Sequence, residues 1–255
     1  MVKFAKAFAI AFLAIYLFPS LVAAGLWLGG EHPATWREAK WTSSKMLPDP
    51  SANDEAAIYV LSARTGGLKG AIASHAWIVM KDKGGAAYER FDKVGWGSPI
   101  RRNNYPADAL WYSNQPRLVT MVKGEAAEAL IPKIRQVIQD YPFAEAGGYT
   151  IYPGPNSNTF IAHILRHVPE LGAVLPPDAT GRDYLSDGGF FYAAPDGKDF
   201  SLSFKGYGGI SIGARSGFEV NLLGLVAGID VQEPGVKIPA LGYFGTASFK
   251  AAPQL

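Results

Sequence analysis

The chain has 255 residues, of which 48% are hydrophobic and 18% are charged, and its formal net charge is only +2. Its basic residues are scattered apart from the pair Arg101 and Arg102, so no stripe of positive charge could follow a nucleic-acid backbone. The sequence contains no cysteine, which excludes disulfides, thiolate metal sites and a cysteine nucleophile.

The N-terminal segment, residues 1–30, predicts a membrane anchor or a signal peptide. Lys3 and Lys6 are followed by an uncharged, mostly apolar stretch that is long enough to span a bilayer. Pro19 and the small residues after it also fit a signal peptide that is cleaved after Ala24. Both alternatives stay open on the sequence.

The charges that flank this segment predict its orientation. The lysines precede it and Glu31 follows it, which favours a cytoplasmic N-terminus and a body that faces the periplasm or the exterior. A second apolar run, "LLGLVAGI" at residues 222–229, is too short to cross a membrane. It predicts a buried strand or an interfacial patch.

Residues 31–55 are polar and contain several Pro, Ser and Asn residues, which predicts a linker that docks through Trp36 and Trp41. The length of the remainder, residues 56–255, predicts a single periplasmic domain. Short segments rich in β-branched and aromatic residues predict strands at its start, namely 56–64, 75–81, 86–94 and 117–123. The second and third of these are expected to form a hairpin.

The hydrophobic spacing changes to a helical period in two places. It predicts helices over residues 124–142 and 157–167, and Pro132 inside the first marks either its true start or a kink. After residue 180 the sequence returns to short strands and Gly-rich turns. This order predicts an α+β fold, an antiparallel sheet with a few packed helices.

Of the four histidines, only His75 falls on a predicted core strand. His163 and His167 are spaced to share one helix face, but the nearby sequence offers no further ligand for a zinc site. The sequence therefore predicts neither a metal site nor a cofactor. A strand-end histidine such as His75 serves either as a base or as a hydrogen-bonded structural residue.

The stretch "YPGPNSNTFIAHILRH", which starts at residue 152, places Ser157 at the beginning of a predicted helix. Serine is among the best helix-capping residues, and Asn156 or Asn158 could share that role. The same position suits a nucleophile, because the exposed N–H groups and the positive end of the helix dipole stabilise a developing oxyanion. Both interpretations remain open.

Three segments carry a family resemblance: "SHAWIVMK", "AAYERFDKVGWG" and "NSNTFI". Together they resemble the circularly permuted NlpC-type, papain-like proteins, of which the lecithin retinol acyltransferase-like enzymes are one branch. The family motif is Asn-Cys, two residues and an aromatic, and residues 156–160 match it with Ser157 at the cysteine position. Most of residues 56–250 also resembles the bacterial domain of unknown function 3750, through the membrane lead, "HAWI", "GWG" and "PGPNSNTF".

The resemblance implies a nucleophile at Ser157 and a general base at His75, acting on amide or ester bonds of the cell wall (peptidoglycan) or of lipids. The partner strand of the predicted hairpin supplies Glu89 or Asp92 to orient His75, and its register decides between these two acids. Tyr88 is a third possibility at the same place. Candidate substrate-binding residues are Asn156, Asn158, Tyr88, Trp77 and Trp111. The alternative is a catalytically inactive papain-like fold that binds a ligand or serves as an accessory subunit of a membrane complex.

Overall fold

The N-terminal segment folds as one continuous helix, Val2–Leu28, in the computed structural model, which describes residues 2–246. It consists of α1 (Val2–Phe12), a π-helical turn (Leu13–Leu17) and α2 (Phe18–Leu28). The π-helical turn ends two residues before Pro19, which lacks an N–H donor and crowds the preceding turn. The helix is long and apolar enough to cross a membrane, and it fits a membrane anchor or a signal peptide.

The first sheet has five antiparallel strands in the order β4-β3-β2-β1-β5. The strands are β1 (Ala57–Arg64), β2 (Ser74–Lys81), β3 (Glu89–Lys93), β4 (Ile100–Arg102) and β5 (Arg117–Lys123). The four strands predicted before residue 124 are all present, and β2 pairs with β3 as expected. β1 and β2 are almost entirely buried, and each carries a run of β-branched and aromatic residues, "IYV" at 58–60 and "WIV" at 77–79.

Two helices, α3 (Gly124–Gln139) and α4 (Ser157–His167), pack on one face of the first sheet. Both helix predictions are confirmed, and α3 runs through Pro132 without interruption. The helices bury their apolar stripes against β1 and β2, so that Ile134 and Ile161 are fully enclosed. This layer is the main hydrophobic core.

Alternation along β2 sends its side chains to two different layers. Ala76, Ile78 and Met80 join the core beneath the helices. Trp77 and Val79 face the opposite side, where Trp41 and Trp111 cover the sheet. His75 has the same parity along β2 as Trp77 and Val79, so its side chain faces their layer and not the helices.

A second antiparallel sheet follows α4, with its strands in simple sequential order from β12 to β6. They are β6 (Phe191–Ala193), β7 (Asp199–Ser203), β8 (Gly208–Gly213), β9 (Gly217–Leu222), β10 (Leu225–Asp230), β11 (Gly235–Ile238) and β12 (Gly242–Gly245). The run at residues 222–229 forms the turn between β9 and β10 and most of β10. The α+β class with antiparallel strands and packed helices is confirmed, and the strands form two sheets.

Candidate functional site

Ser157 is the first residue of α4, and the residue that caps this helix is Asn156. The Asn156 Oδ1 atom accepts hydrogen bonds from the backbone N–H groups of Asn158 at 2.9 Å and Thr159 at 3.1 Å. The Thr159 hydroxyl in turn accepts from the Asn156 N–H and completes a capping box. Ser157 is therefore not needed as the cap, although its side chain is buried.

The hydroxyl group of Tyr149 lies beside Ser157. Burial raises the pKa of Tyr149, and the side chain and backbone of Ser157 only partly oppose that rise. Tyr149 is consequently a neutral phenol at pH 7. A neutral phenol is a poor acceptor for the proton that a serine nucleophile must release.

Asn158 ties the start of α4 to the start of β2. Its Nδ2 donates to the carbonyl oxygens of Ser74 at 2.8 Å and Thr180 at 2.9 Å.

Gly181, with φ +94°, lies so close to Asn156 that a Cβ there would come within 2.2 Å of Asn156 Nδ2. Only glycine fits this position, because both the backbone conformation and the close approach exclude a side chain.

His75 lies in a closed layer on the other face of the sheet. Its Nε2 is 3.2 Å from the Asp92 Oδ2 atom, and its ring stacks on Trp111 with centroids 3.7 Å apart and planes 3° apart. The His75 side chain is 6% exposed. Because His75 alternates with Ala76, its imidazole points away from the face that carries α4.

A buried arginine completes this cluster. Arg90 Nη2 is 3.0 Å from Asp92 Oδ2, and its Nη1 donates to the Pro106 carbonyl at 2.9 Å. The Arg90 guanidinium also lies 4.3 Å from the ring centroid of Trp77. Sequence reasoning missed Arg90, although its two-residue spacing from Asp92 on a strand places both on one face.

Burial lowers the pKa of His75, and the hydrogen bond to Asp92 only partly opposes this effect. The carboxyl of Asp92 is itself buried, and its contacts with His75 and Arg90 more than offset burial and lower its pKa. At pH 7 the imidazole is therefore neutral and donates its Nε2–H to a carboxylate. The Asp92 charge is balanced by Arg90 without help from His75.

This lowered pKa predicts how stability depends on pH. Unfolded His75 binds a proton near pH 6.5 whereas the native imidazole stays neutral, so we expect the free energy of unfolding to fall as pH drops below 6.5. His75→Gln keeps a donor for Asp92 and should make this slope shallower, by at most about 1.4 kcal/mol per pH unit. Urea unfolding of both proteins between pH 5 and pH 8 measures the difference. Parallel slopes would contradict the assignment of a neutral His75.

Glu89 and Tyr88 bond other partners, although Tyr88 packs on the same layer as Trp77 and Trp111. Glu89 forms ion pairs with Arg135 of α3 at 2.9 Å and with Arg102 at 2.6 Å. The Tyr88 hydroxyl donates to the carbonyl of Pro48 at 3.1 Å. Of the two carboxylates considered as partners of His75, the one in contact is thus Asp92.

The structure places the predicted site residues in two separate groups. His75, Asp92, Trp77 and Trp111 lie together on one face of the first sheet. Ser157, Asn156 and Asn158 lie at the start of α4, where the two asparagines bond backbone carbonyls and Ser157 lies beside Tyr149. Within residues 2–246, no hydrogen bond joins Ser157 to His75.

Among residues 2–246, one group of side chains could hold a metal ion. His163, His167 and Asp187 offer one ligand atom each, all within 4.8 Å of one another. The His167 Nδ1 is bonded to the His163 carbonyl at 2.9 Å, which fixes the ring and leaves Nε2 near Asp187. The sequence offered no third ligand because Asp187 is distant from α4 along the chain. Burial, together with the neighbouring His167, lowers the pKa of His163 to about 4, so it is neutral at pH 7.

The family model described as "Protein of unknown function (DUF3750)" matches residues 55–184. This range is just over half of the chain, includes both groups of predicted site residues, and ends before the second sheet. No curated protein and no solved structure matches the chain. Since the matched range spans the whole first sheet and α4, the chain belongs to the DUF3750 family.

Proposed function

We propose that this chain is a membrane-attached protein of the bacterial cell envelope that binds a ligand or a partner protein and is not a hydrolase. In this proposal its papain-like site has kept a structural role and lost the catalytic one. The observation that carries the proposal is the closed environment of His75, whose imidazole stacks on Trp111 and bonds Asp92 on the face opposite α4. A serine nucleophile needs an aligned base, and Ser157 contacts neutral Tyr149 instead.

The proposed location is the inner membrane, with the folded body in the periplasm. The apolar helix Val2–Leu28 supports membrane attachment. Lys3 and Lys6 before it and Glu31 after it support a cytoplasmic N-terminus. Peptidoglycan and lipid are then the ligand classes within reach of the body.

A cleft between the two sheets supports a binding role. It has a volume of about 530 Å³, within the range of roughly 300 to 1,000 Å³ that is usual for small-ligand sites. Arg117 and Thr120 of β5 line one side, and Asp230 and Lys237 of the second sheet line the other. Side chains of both signs line this cleft, although Arg117 is paired with Asp178 and Lys237 with Glu219 inside the protein.

A hydrolase or acyltransferase activity is the second candidate, and the close pairing of His75 with Asp92 favours it. In that reaction Ser157 attacks an amide or ester carbonyl of peptidoglycan or lipid, and His75 accepts the serine proton. The N–H groups at the start of α4 bind the oxyanion. This chemistry requires His75 to leave its stack on Trp111 and reach the face of the sheet that carries α4.

The variant Ser157→Cys distinguishes the two candidate functions by the reactivity of its thiol. The natural chain has no cysteine, so this is the single thiol of the variant. We expect iodoacetamide to alkylate this thiol about 100-fold more slowly than the thiol of Ala126→Cys, since a buried thiol reacts only when the structure opens. Ala126 is an exposed residue of α3 and serves as the matched control. Mass spectrometry of the intact protein at timed intervals measures both rates.

The opposite result supports the enzyme. A Ser157→Cys thiol that reacts faster than the control at pH 6, and slows when His75→Ala is added, indicates a thiolate paired with an imidazolium. A fluorophosphonate probe gives a second readout on the natural serine. Labelling of the wild type that disappears in both Ser157→Ala and His75→Ala would overturn the proposal of a non-catalytic protein.

A further inference from the structure

The second sheet turns a continuous apolar face outward. Six of its side chains, each between 41% and 57% exposed, are Phe200, Leu202, Ile210, Ile212, Phe218 and Ile229. They are direct cross-strand neighbours, because Phe200 pairs with Ile212, Ile212 with Phe218, and Phe218 with Ile229. We refer to the face that these six residues define as the outer apolar face.

The opposite face of the same strands carries the polar residues. Asp199, Glu219 and Lys237 alternate with the apolar positions and are all buried. A sheet with one solvated face normally shows the reverse, with apolar residues inside and polar residues outside. Across the described strands β6–β12, no position that shares the outer apolar face is charged.

An apolar face of this size is unfavourable in contact with water and is more stable in an apolar environment. Soluble monomers rarely expose contiguous apolar patches larger than a few hundred Å², and larger ones mark protein or membrane contacts. The exposed aromatic side chains Phe200 and Phe218 increase the free energy of leaving this face in water.

The N-terminal helix touches this face. The Tyr16 hydroxyl donates to the Val220 carbonyl at 3.0 Å, and Val220 lies between Ile210 and Ala227 on the outer apolar face. The π-helical turn that contains Tyr16 packs against β10. The face is therefore continuous with the surface of the helix that is apolar enough to cross a membrane.

The position of Tyr16 along the helix sets the depth of this contact. It lies 12 residues before Leu28, the end of the helix, which corresponds to about 18 Å along the axis. The hydrocarbon core of a bilayer is about 30 Å thick. A helix that enters the bilayer near Leu28 thus brings the neighbouring strands to the level of the acyl chains.

We propose that the outer apolar face is embedded among the lipid acyl chains of the membrane, beside the N-terminal helix. The protein is then held by a helix and a sheet together. This inference extends the membrane attachment of the proposed function and is independent of whether Ser157 is catalytic.

Single cysteines test this arrangement, because the natural chain has none. The full chain carries one cysteine at Ile212 or Phe218 on the outer apolar face, at Leu21 of α2 as a helix marker, or at Ala126 as a solvent control. Each is labelled with the fluorophore NBD and reconstituted in vesicles of phosphatidylethanolamine and phosphatidylglycerol. Some vesicles also contain phosphatidylcholine with doxyl groups on its acyl chains, which quench NBD on contact.

We expect doxyl lipids to quench the labels at Ile212 and Phe218 about twofold, like the label at Leu21, whereas the label at Ala126 remains bright. Quenching at Leu21 but not at Ile212 and Phe218 overturns the proposal and leaves membrane anchoring intact. If aqueous iodide also fails to quench the two face labels, a second protein copy covers them. No quenching at any of the three positions contradicts the membrane anchor as well.

Discussion

Replacing Asp92 with alanine is expected to lower the free energy of unfolding by about 3 to 5 kcal/mol. The change removes the carboxylate that neutralises Arg90, a guanidinium that is 1% exposed. Arg90 cannot reach water to recover the lost interaction, because Trp77 lies against its guanidinium and Pro106 holds one nitrogen. The cost is that of an unpaired charge inside the protein. Thermal or urea unfolding followed by tryptophan fluorescence measures it.

Asp82→Ala is the matched control for this experiment. Asp82 pairs with Arg135 at 2.7 Å, yet its side chain is 57% exposed, so its loss should cost no more than about 1 kcal/mol. A double variant, Asp92→Leu with Arg90→Met, removes both charges and should recover much of the stability. If Asp92→Ala and Asp82→Ala destabilise the protein equally, the Arg90–Asp92 pair does not have the structural role assigned to it.

The start of α4 was predictable because the signal is local. A Pro-Gly turn, a run of good capping residues and the helical spacing of Phe160, Ile161 and Ile164 all lie within a few positions. Strands β1, β2, β3 and β5 were predictable for the same reason, from short β-branched runs bounded by Gly and Pro, whereas the short strand β4 (Ile100–Arg102) was missed. Each of these features depends on neighbours in the chain.

The relation between His75 and Ser157 was not predictable, because it depends on strand parity and on distant residues. A shift of one residue moves every side chain of a strand to the opposite face. β2 places Ala76 beneath the helices and His75 on the far side, and Trp111, a long way along the chain, closes the layer above it. Glu89 and Asp92 could not be distinguished from the sequence, because the choice depends on the register of β2 and β3. The structure fixes that register by pairing Ile78 with Phe91.

The second sheet posed a different difficulty. Its strands alternate apolar and polar residues clearly, as in "FSLSF" at residues 200–204, and the alternation correctly predicts strands. The usual inference from alternation places the apolar residues inside. Here Phe200 and Leu202 face outward, while the charges of Asp199 and Glu219 are buried. Alternation identifies a two-faced strand, and the surroundings decide which face is covered.

Glu219→Ala is expected to have the other large effect, again about 3 to 5 kcal/mol, because Glu219 serves two buried cations. Its carboxylate binds Arg182 and, at 2.5 Å, Lys237 of the neighbouring hairpin. Arg182 also donates to the Leu175 carbonyl, so the carboxylate links the segment after α4 to β9 and β11. Without it, Arg182 and Lys237 remain buried and repel each other. Urea unfolding measures the total loss.

Hydrogen exchange locates that loss, and Glu170→Ala provides the control. Glu170 pairs with Lys133 at 2.8 Å, but both side chains are about half exposed, so its removal should change little. In Glu219→Ala the amides of β7–β11 should exchange faster while those of β1 and β2 keep their protection, because the core beneath α3 and α4 does not use this ion cluster. Uniform acceleration in both sheets would instead mean that they unfold as one unit. The second sheet would then depend on the first, and Glu219 would support the fold of the whole body.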